Sequence, residues 1–429
     1  MFKIKPVSGL IALALAMSAI SSISYADEQP KAVTSTDLLD KLSSPNSTKP
    51  KPSFDAKEFA DTGRQSPSPI EAGPFFIYPT LGISVGRDSN VARTSSNEIA
   101  STATLISPSF VADLLNNGDR YVFGYKGKFL RYADSKDNNT DSNELQFQAE
   151  NTYSARLSSL ILGNLLYAED AQGTTDSGSS TPDKYRSLSL KGLVGYGAAE
   201  ATGRIELEAG IQNKRYSNNQ SVTRFFDQDS LSAAARFFYR VAPKTSLVFE
   251  GRAQNFDYVV NPELQNSKEY RLYTGLKWDM DDSFMGSVKV GMLNKKYDLD
   301  TKGEFTKFSY EALLRFTPLS YSSVELSAMR TPSESTGSGN FLLDDVLNAQ
   351  WNHSWSSYLS SRAYLTYVNS DYSGISRTDD TYITGLAVDY KLTRWLKTGA
   401  ELRYEKRNSN ITLQDYQRNL FMVNLSGSL

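Results

Sequence analysis

Cysteine is absent from the 429-residue chain, and histidine occurs once, at His353. The first absence removes disulfides, thiol nucleophiles and thiolate metal ligands. The second leaves a zinc site without its donors, so no metal is expected. Past the first twenty residues no stretch approaches the ~18 consecutive apolar residues of a membrane helix. A charge imbalance is missing too: 46 Lys and Arg stand against 48 Asp and Glu, so nothing points to nucleic acid. No motif calls for a nucleotide or another cofactor. Aromatic residues, by contrast, are plentiful, with 25 Tyr and 21 Phe. Strands and membrane-interface girdles both favour them.

Residues 1–26 read as a signal peptide. Lys3 and Lys5 form a positive start, Leu10 to Ile20 is a short apolar run, and Ser24-Tyr25-Ala26 predicts cleavage before Asp27. The run is too short to span a bilayer comfortably. Residues 27–73 are rich in Ser, Thr, Pro, Lys and Asp, and predict a flexible periplasmic segment. A short helix over Thr34 to Leu42 would place Leu38, Leu39 and Leu42 on one face, and the segment would then serve as a tether or plug.

Residues 74–429 follow one pattern: segments of about 10–15 residues alternate apolar and polar, separated by turn chemistry. In Arg204 to Lys214, Ile205, Leu207, Ala209 and Ile211 oppose Arg204, Glu206, Glu208, Gln212 and Lys214. Tyr270, Leu272, Leu276 and Trp278 oppose Glu269, Arg271, Lys277 and Asp279 in the same way. A soluble β-sandwich has strands of about 5–6 residues, roughly half this length. Nearly all charges also fall on one face, as a lipid-facing wall requires, since a charge toward lipid costs about 2–4 kcal/mol at the midplane. The pattern therefore predicts an all-β fold, a transmembrane antiparallel up-and-down β-barrel of about 18 strands (16–18). Its segments fall near 75–87, 202–216, 320–331, 343–354 and 415–429, among others.

Connections alternate short (Asn116-Asn117-Gly118, Ala242-Pro243-Lys244, Asp281-Asp282) and long (Ala171 to Asp183, Tyr258 to Asn266, Thr331 to Asn340). Short periplasmic turns and long outer loops are the arrangement of a Gram-negative outer-membrane barrel, whose surroundings are outer-membrane lipid. Gly86-Arg87-Asp88-Ser89-Asn90-Val91 and Lys406-Arg407-Asn408-Ser409-Asn410-Ile411 echo each other at the starts of outer loops, which closure of the barrel would bring together. The last strand, with Phe421, Val423, Leu425, Gly427 and Leu429 on one face, is similar to the signal read by the barrel-assembly machinery, with Leu429 in place of the usual final aromatic.

No catalytic set emerges, and the chain does not read as an enzyme. His353 lies between Trp351 and Trp355 near a short turn, as a member of an aromatic belt. The inward faces carry Glu144, Glu150, Glu206, Glu208, Glu250, Glu311, Glu325, Asp389 and Glu401. They also carry the lumen-lining candidates Lys126, Lys128, Arg204, Arg236, Arg252, Arg271, Lys277, Arg315, Arg362, Lys397 and Arg403. Two roles are open to these cations: pairing with the carboxylates, or passing an anionic or hydroxyl-rich solute along a wet wall. Tyr132, Phe256, Tyr273 and Tyr364 are either sugar-stacking rungs or packing residues.

Family resemblance is clearest near the C-terminus. Asp389-Tyr390-Lys391-Leu392-Thr393-Arg394-Trp395-Leu396 leads through Gly399 to Leu402-Arg403-Tyr404-Glu405-Lys406-Arg407-Asn408-Ser409-Asn410 and then Asp415-Tyr416-Gln417-Arg418-Asn419. Lys214-Arg215-Tyr216 with Asn218, and Lys295-Lys296-Tyr297 with Asp298, are similar strand ends. The stretch resembles the β-barrel porin family encoded in exopolysaccharide and capsule operons. That resemblance implies a role at the outer-membrane step of polysaccharide export, with the polysaccharide in transit and a periplasmic polysaccharide-export protein as partners. The alternatives are a general or solute-specific diffusion porin and a structural or adhesive barrel acting through its loops.

Overall fold

A backbone in a bilayer must satisfy its own hydrogen bonds, and a sheet can do so only by closing on itself. In the computed structural model, which describes residues 69–198, 201–280 and 283–428, the chain does this with 18 long strands. A short strand, β1 (Ile70–Ala72), precedes them. The wall runs β2 (Phe75–Asp88), β3 (Ser101–Asn116), β4 (Asp119–Tyr132), β5 (Thr140–Thr152), β6 (Leu157–Asp170) and β7 (Asp183–Tyr196). It continues through β8 (Gly203–Tyr216), β9 (Gln228–Ala242), β10 (Thr245–Tyr258), β11 (Ser267–Met280), β12 (Phe284–Tyr297) and β13 (Glu304–Leu319). The remaining strands are β14 (Ser322–Glu334), β15 (Phe341–Ser354), β16 (Leu359–Tyr372), β17 (Arg377–Lys391), β18 (Leu396–Ser409) and β19 (Tyr416–Ser428). Each pairs antiparallel with the next, and β19 returns to β2 in a register that sets Leu420 against Asp88 and Ser428 against Thr80. β1 pairs with the start of β2, Ile70 opposite Ile77, just beyond the point where β19 ends.

The inside–outside alternation follows the sequence pattern. Leu207, Leu231, Leu272 and Leu402 are exposed on the outer face, while Glu206, Glu208, Arg236 and Arg271 are buried on the inner one. Apolar residues outward and ions inward is the reverse of a soluble protein, and suits lipid outside and a polar interior. Short turns gather at one rim. Asn117 and Gly118 both take positive φ, 50° and 98°, the conformation of a tight two-residue hairpin turn. His353 sits at this rim among Tyr321, Trp351 and Trp355, with the Trp355 ring 4.3 Å away.

Long connections gather at the other, outer rim and fold over it. Loop 89–100 turns inward, so that Val91 packs with Ala103, Leu105, Leu130, Tyr132, Leu420 and Met422 in a small apolar core inside the barrel. A second core, Leu293, Tyr297, Phe341 and Leu343, fills the interior between β12 and β15. The expectation of about 18 strands holds, and the strands quoted above begin and end within three residues of the expected bounds. Period-two reading did not foresee β1 or the short helical turns in the outer loops, such as Gln220–Thr223 and Pro262–Gln265. The signal peptide, the helix over Thr34 to Leu42, most of the 27–73 segment and the Asp281-Asp282 turn lie outside the described residues. Among the described residues no helix is long and apolar enough to cross a membrane.

Candidate functional site: the barrel interior and its outer mouth

All eleven candidate cations project from the inner face, and most meet a carboxylate there. The densest group crosses β7 to β13. Glu208 accepts from Lys191 at 3.2 Å and from Arg236 at 2.9 Å. Arg236 also donates through Nε to Glu250 at 2.8 Å. Glu250 accepts from Arg252 at 2.6 Å and from Lys289 at 2.9 Å. Arg252 then forks onto Glu311, its two terminal nitrogens 2.6 and 2.9 Å from the carboxylate oxygens. Lys289 closes the loop on Glu311 at 2.8 Å. Strand register explains this: Glu250 lies opposite Arg236, and Lys289 opposite Glu311.

The other candidates are placed as follows. Arg204 donates to Glu206 at 3.0 Å, Arg271 to Glu269 at 2.6 Å and Arg315 to Glu325 at 2.8 Å. Arg362 approaches Glu401 at 3.8 Å, Lys397 approaches Asp389 at 3.5 Å and Arg403 approaches Glu405 at 3.5 Å. Lys126 stands opposite Glu144, with Lys128 two residues on in the same ladder. Lys277 places its ammonium 5.5 Å from the Phe238 ring centre. Arg236 is 2% exposed and Arg403 5%, so these two belong to a packed ionic layer more than to a hydrated surface. The aromatic candidates are engaged as well. Tyr132 donates to Asp88 at 2.9 Å, Tyr364 to Glu401 at 2.6 Å, and Tyr273 shares a hydrogen bond with Ser309. Phe256 lies 4.3 Å beneath the Lys295 ammonium.

Beside this layer the interior holds a cavity of 580 Å³ along β4 to β11. Much of its lining is amide and hydroxyl: Gln146, Gln148, Asn164, Ser189, Gln212 and Ser232. The wall thus offers neutral donors and acceptors next to charges that already neutralise one another.

The outer mouth holds a second set of ions that side-chain type alone did not mark. Arg418, 1% exposed, grips Asp88 at 2.7 Å and reaches Glu405 at 3.3 Å. Arg93, from loop 89–100, reaches Glu405 at 3.3 Å, and Tyr416 donates to the same carboxylate. Around the echoed segments, Asn90 Nδ2 donates to the Gln417 carbonyl on β19 at 3.0 Å, and Ala92 and Arg93 line a cavity together with Arg407. Period two could have found Arg418, which shares a face with the buried Tyr416, Leu420 and Met422. Nothing local could have found the partners of loop 171–182. This loop leaves between β6 and β7 and crosses to strands that are not its neighbours. Its Asp176 pairs with Arg377 at the start of β17 at 3.0 Å. Its Gly173 carbonyl accepts from Arg407 on β18 at 3.2 Å. Gly173 takes φ +77° against Ala92 and Arg93, where a Cβ would meet the Ala92 carbonyl at 2.8 Å. In the neighbouring loops, burial pushes the Asp227 carboxyl up and the Lys302 ammonium down from their ordinary pKa values.

Sequence comparison places these features in a family. The model described as "Putative beta-barrel porin 2" matches residues 66–428. The chain belongs to that family. Solved structures with a similar fold include the outer membrane protein opdK of Pseudomonas aeruginosa, at 11% identity, a TM-score of 0.44 and coverage of 82% of this chain and 99% of that one. A BenF-like porin of Pseudomonas fluorescens Pf-5 gives 11% identity, a TM-score of 0.45 and coverage of 83% and 99%. The siderophore receptor PirA of Pseudomonas aeruginosa gives 7% identity, a TM-score of 0.42 and coverage of 82% and 80%. No curated protein matches the chain. Membership of the porin family and a closed lipid-facing barrel put the chain in the outer membrane of a Gram-negative bacterium.

Proposed function

We propose that this barrel carries an exopolysaccharide of the biofilm matrix or capsule across the outer membrane. One observation supports the reading above others: the 580 Å³ cavity has amides and hydroxyls in its lining, and charges that share the lining, such as Arg236 and Arg252, are paired with carboxylates. A polymer must make many contacts, each weak enough to leave. Neutral side chains that exchange hydrogen bonds with sugar hydroxyls meet that need better than free charges, which would hold an ionic solute in place. The family resemblance points the same way. In this reading residues 1–26 are a cleaved signal, residues 27–73 face the periplasm, and a periplasmic polysaccharide-export protein delivers the chain end. Barrel-assembly machinery inserts the protein through its last strand. Transport is passive, and the barrel catalyses no reaction.

The test is a clean deletion complemented in trans, with cell-surface polysaccharide and small-solute permeability both measured. Loss of surface polysaccharide with unchanged solute uptake is the expected result. Normal polysaccharide with reduced uptake would replace this reading with a solute-specific diffusion porin. Loop 171–182, lying over the mouth, is the observation that favours that second reading.

A further inference from the structure

The cavity along β4 to β11 is lined by both ions and neutral groups, and strand register sorts them. Gln146 on β5 lies directly opposite Asn164 on β6, and Asn164 opposite Ser189 on β7. Ser189 lies opposite Gln212 on β8, and Gln212 opposite Ser230 on β9. Directly paired residues share one face of a sheet, so these side chains form an unbroken neutral row across neighbouring strands. All of them line the cavity, Gln212 exposed and the others half-buried, so the row is open to a ligand. It climbs as it crosses the wall. Gln146 is mid-strand in β5 (Thr140–Thr152), while Ser230 is two residues from the outer end of β9 (Gln228–Ala242). The row therefore leads from the middle of the barrel toward its outer rim.

Ions border the row. Glu144 stands opposite Lys126, Glu208 holds Lys191 at 3.2 Å and Arg236 at 2.9 Å, and Lys214 meets Asp170 at 3.8 Å. Glu144 also sets how two of the amides face. It accepts from Gln146 Nε2 at 2.8 Å and from Asn164 Nδ2 at 2.6 Å. An ionised carboxylate only accepts, so both amides turn nitrogen toward it and carbonyl oxygen away. Gln212 donates to the Ser187 hydroxyl at 3.1 Å. The row thus presents amide oxygens and serine hydroxyls, which accept from the hydroxyls of a sugar. A carboxylate on the ligand would meet acceptors here, with Glu144 beside them and the nearby cations already facing carboxylates.

The spacing fits a polymer. Neighbouring strands stand about 4.8 Å apart, so the row from β5 to β9 is about 19 Å long. Each step is close to the advance per ring of an extended polysaccharide, and each ring would meet a neutral side chain. Leu162 and Leu166, on either side of Asn164 along β6, offer apolar contact to the C–H faces of the rings.

We propose that this row is a track for a polysaccharide without acidic groups, holding about four rings at a time. That the track serves export rests on the export reading; that it binds sugar rings does not.

The test uses the purified full-length barrel in detergent, its folded state checked by heat-dependent gel migration. Binding of glucose, cellotetraose and tetragalacturonate is measured by calorimetry. Cellotetraose is expected to bind saturably and at least about tenfold more tightly than either glucose or tetragalacturonate. The double variant Ser189→Ala with Gln212→Leu touches no ion pair and should weaken cellotetraose by about tenfold. Gln212→Lys should shift the preference toward tetragalacturonate. No saturable binding of cellotetraose, equal binding of glucose, or an unchanged double variant would overturn the track. Tetragalacturonate binding as tightly as cellotetraose, or a preference unmoved by Gln212→Lys, would overturn its selectivity against acids. If cellotetraose does not bind but the deletion still strips surface polysaccharide, the track alone fails. If it binds and the deletion leaves polysaccharide intact, the export reading alone fails.

Discussion

Replacing Glu250 by Gln should destabilise the barrel more than replacing the arginine beside it. Glu250 is 3% exposed and accepts from Arg236, Arg252 and Lys289. The connected group includes the cations Lys191, Arg236, Arg252 and Lys289 and the carboxylates Glu208, Glu250 and Glu311. Neutralising Glu250 removes the carboxylate that Arg236, Arg252 and Lys289 share. One-sided loss of a buried ion-pair partner costs about 3–5 kcal/mol. Arg236→Met acts in the opposite direction on the balance. Glu250 then keeps Arg252 and Lys289, and the loss falls to that of charged hydrogen bonds, about 1.5–3 kcal/mol. Glu250→Gln combined with Arg236→Met should therefore be less damaging than the two single losses added together. Urea unfolding in phospholipid vesicles, followed by tryptophan fluorescence, measures all three variants. If Glu250→Gln unfolds within about 0.5 kcal/mol of the parent, or the double variant loses at least the sum, the ionic layer does not hold the wall in the way argued.

Other outcomes follow from single positions. Leu207→Arg puts a charge toward lipid, since Leu207 is exposed on the outer face, and should cost about 2–4 kcal/mol near the midplane. Insertion yield should fall well below that of the parent, and equal yields would refute the β8 register. Gly86→Ala should impair closure of the barrel, because a Cβ there would come within 1.8 Å of the Phe421 carbonyl across the β2–β19 seam. The expected loss of about 1–3 kcal/mol, read as a lower urea midpoint, would be missing if the seam can shift to accept a methyl. Asp176→Asn removes the ion pair with Arg377 and should raise single-channel conductance in a planar bilayer without lowering the amount of folded barrel. Unchanged conductance would show that loop 171–182 does not restrict the mouth.

Strand number, facing and topology were legible in the sequence because each rests on local alternation. Leu207 beside Glu208, or Leu402 beside Arg403, declares its side by polarity alone, and a wall that divides lipid from water enforces the rule at nearly every position. Turn chemistry at Asn117-Gly118 and the length of the outer connections supplied the order. Pairing across the wall was not legible to the same degree. That Arg252 forks onto Glu311, 59 residues away, depends on the tilt of strands and the reach of long side chains, which no short window contains. The outer mouth was less legible still. Asp176 looks like any loop acid in a Ser- and Gly-rich stretch, and its partner Arg377 looks like the polar start of another strand. Tyr297 was noted as a strand end resembling others, and only the fold shows it packed with Leu293, Phe341 and Leu343 inside the barrel.

The division of charge between wall and mouth bears on where selectivity resides. Inside the wall most of the cations are held by carboxylates within the same layer, so substituting one of those should alter stability before it alters passage. At the mouth the chain has two different devices. One is loop 171–182, held by Asp176–Arg377 and by Arg407 over the half of the rim nearest β17 and β18. The other is a cavity of 270 Å³ on the half between β8 and β15. Gly337 connects the halves, since a Cβ there would meet the Asp176 carbonyl at 2.5 Å while the same glycine lines that cavity. The loops 171–182 and 335–340 therefore meet across the mouth, above a wall whose cations are held by carboxylates.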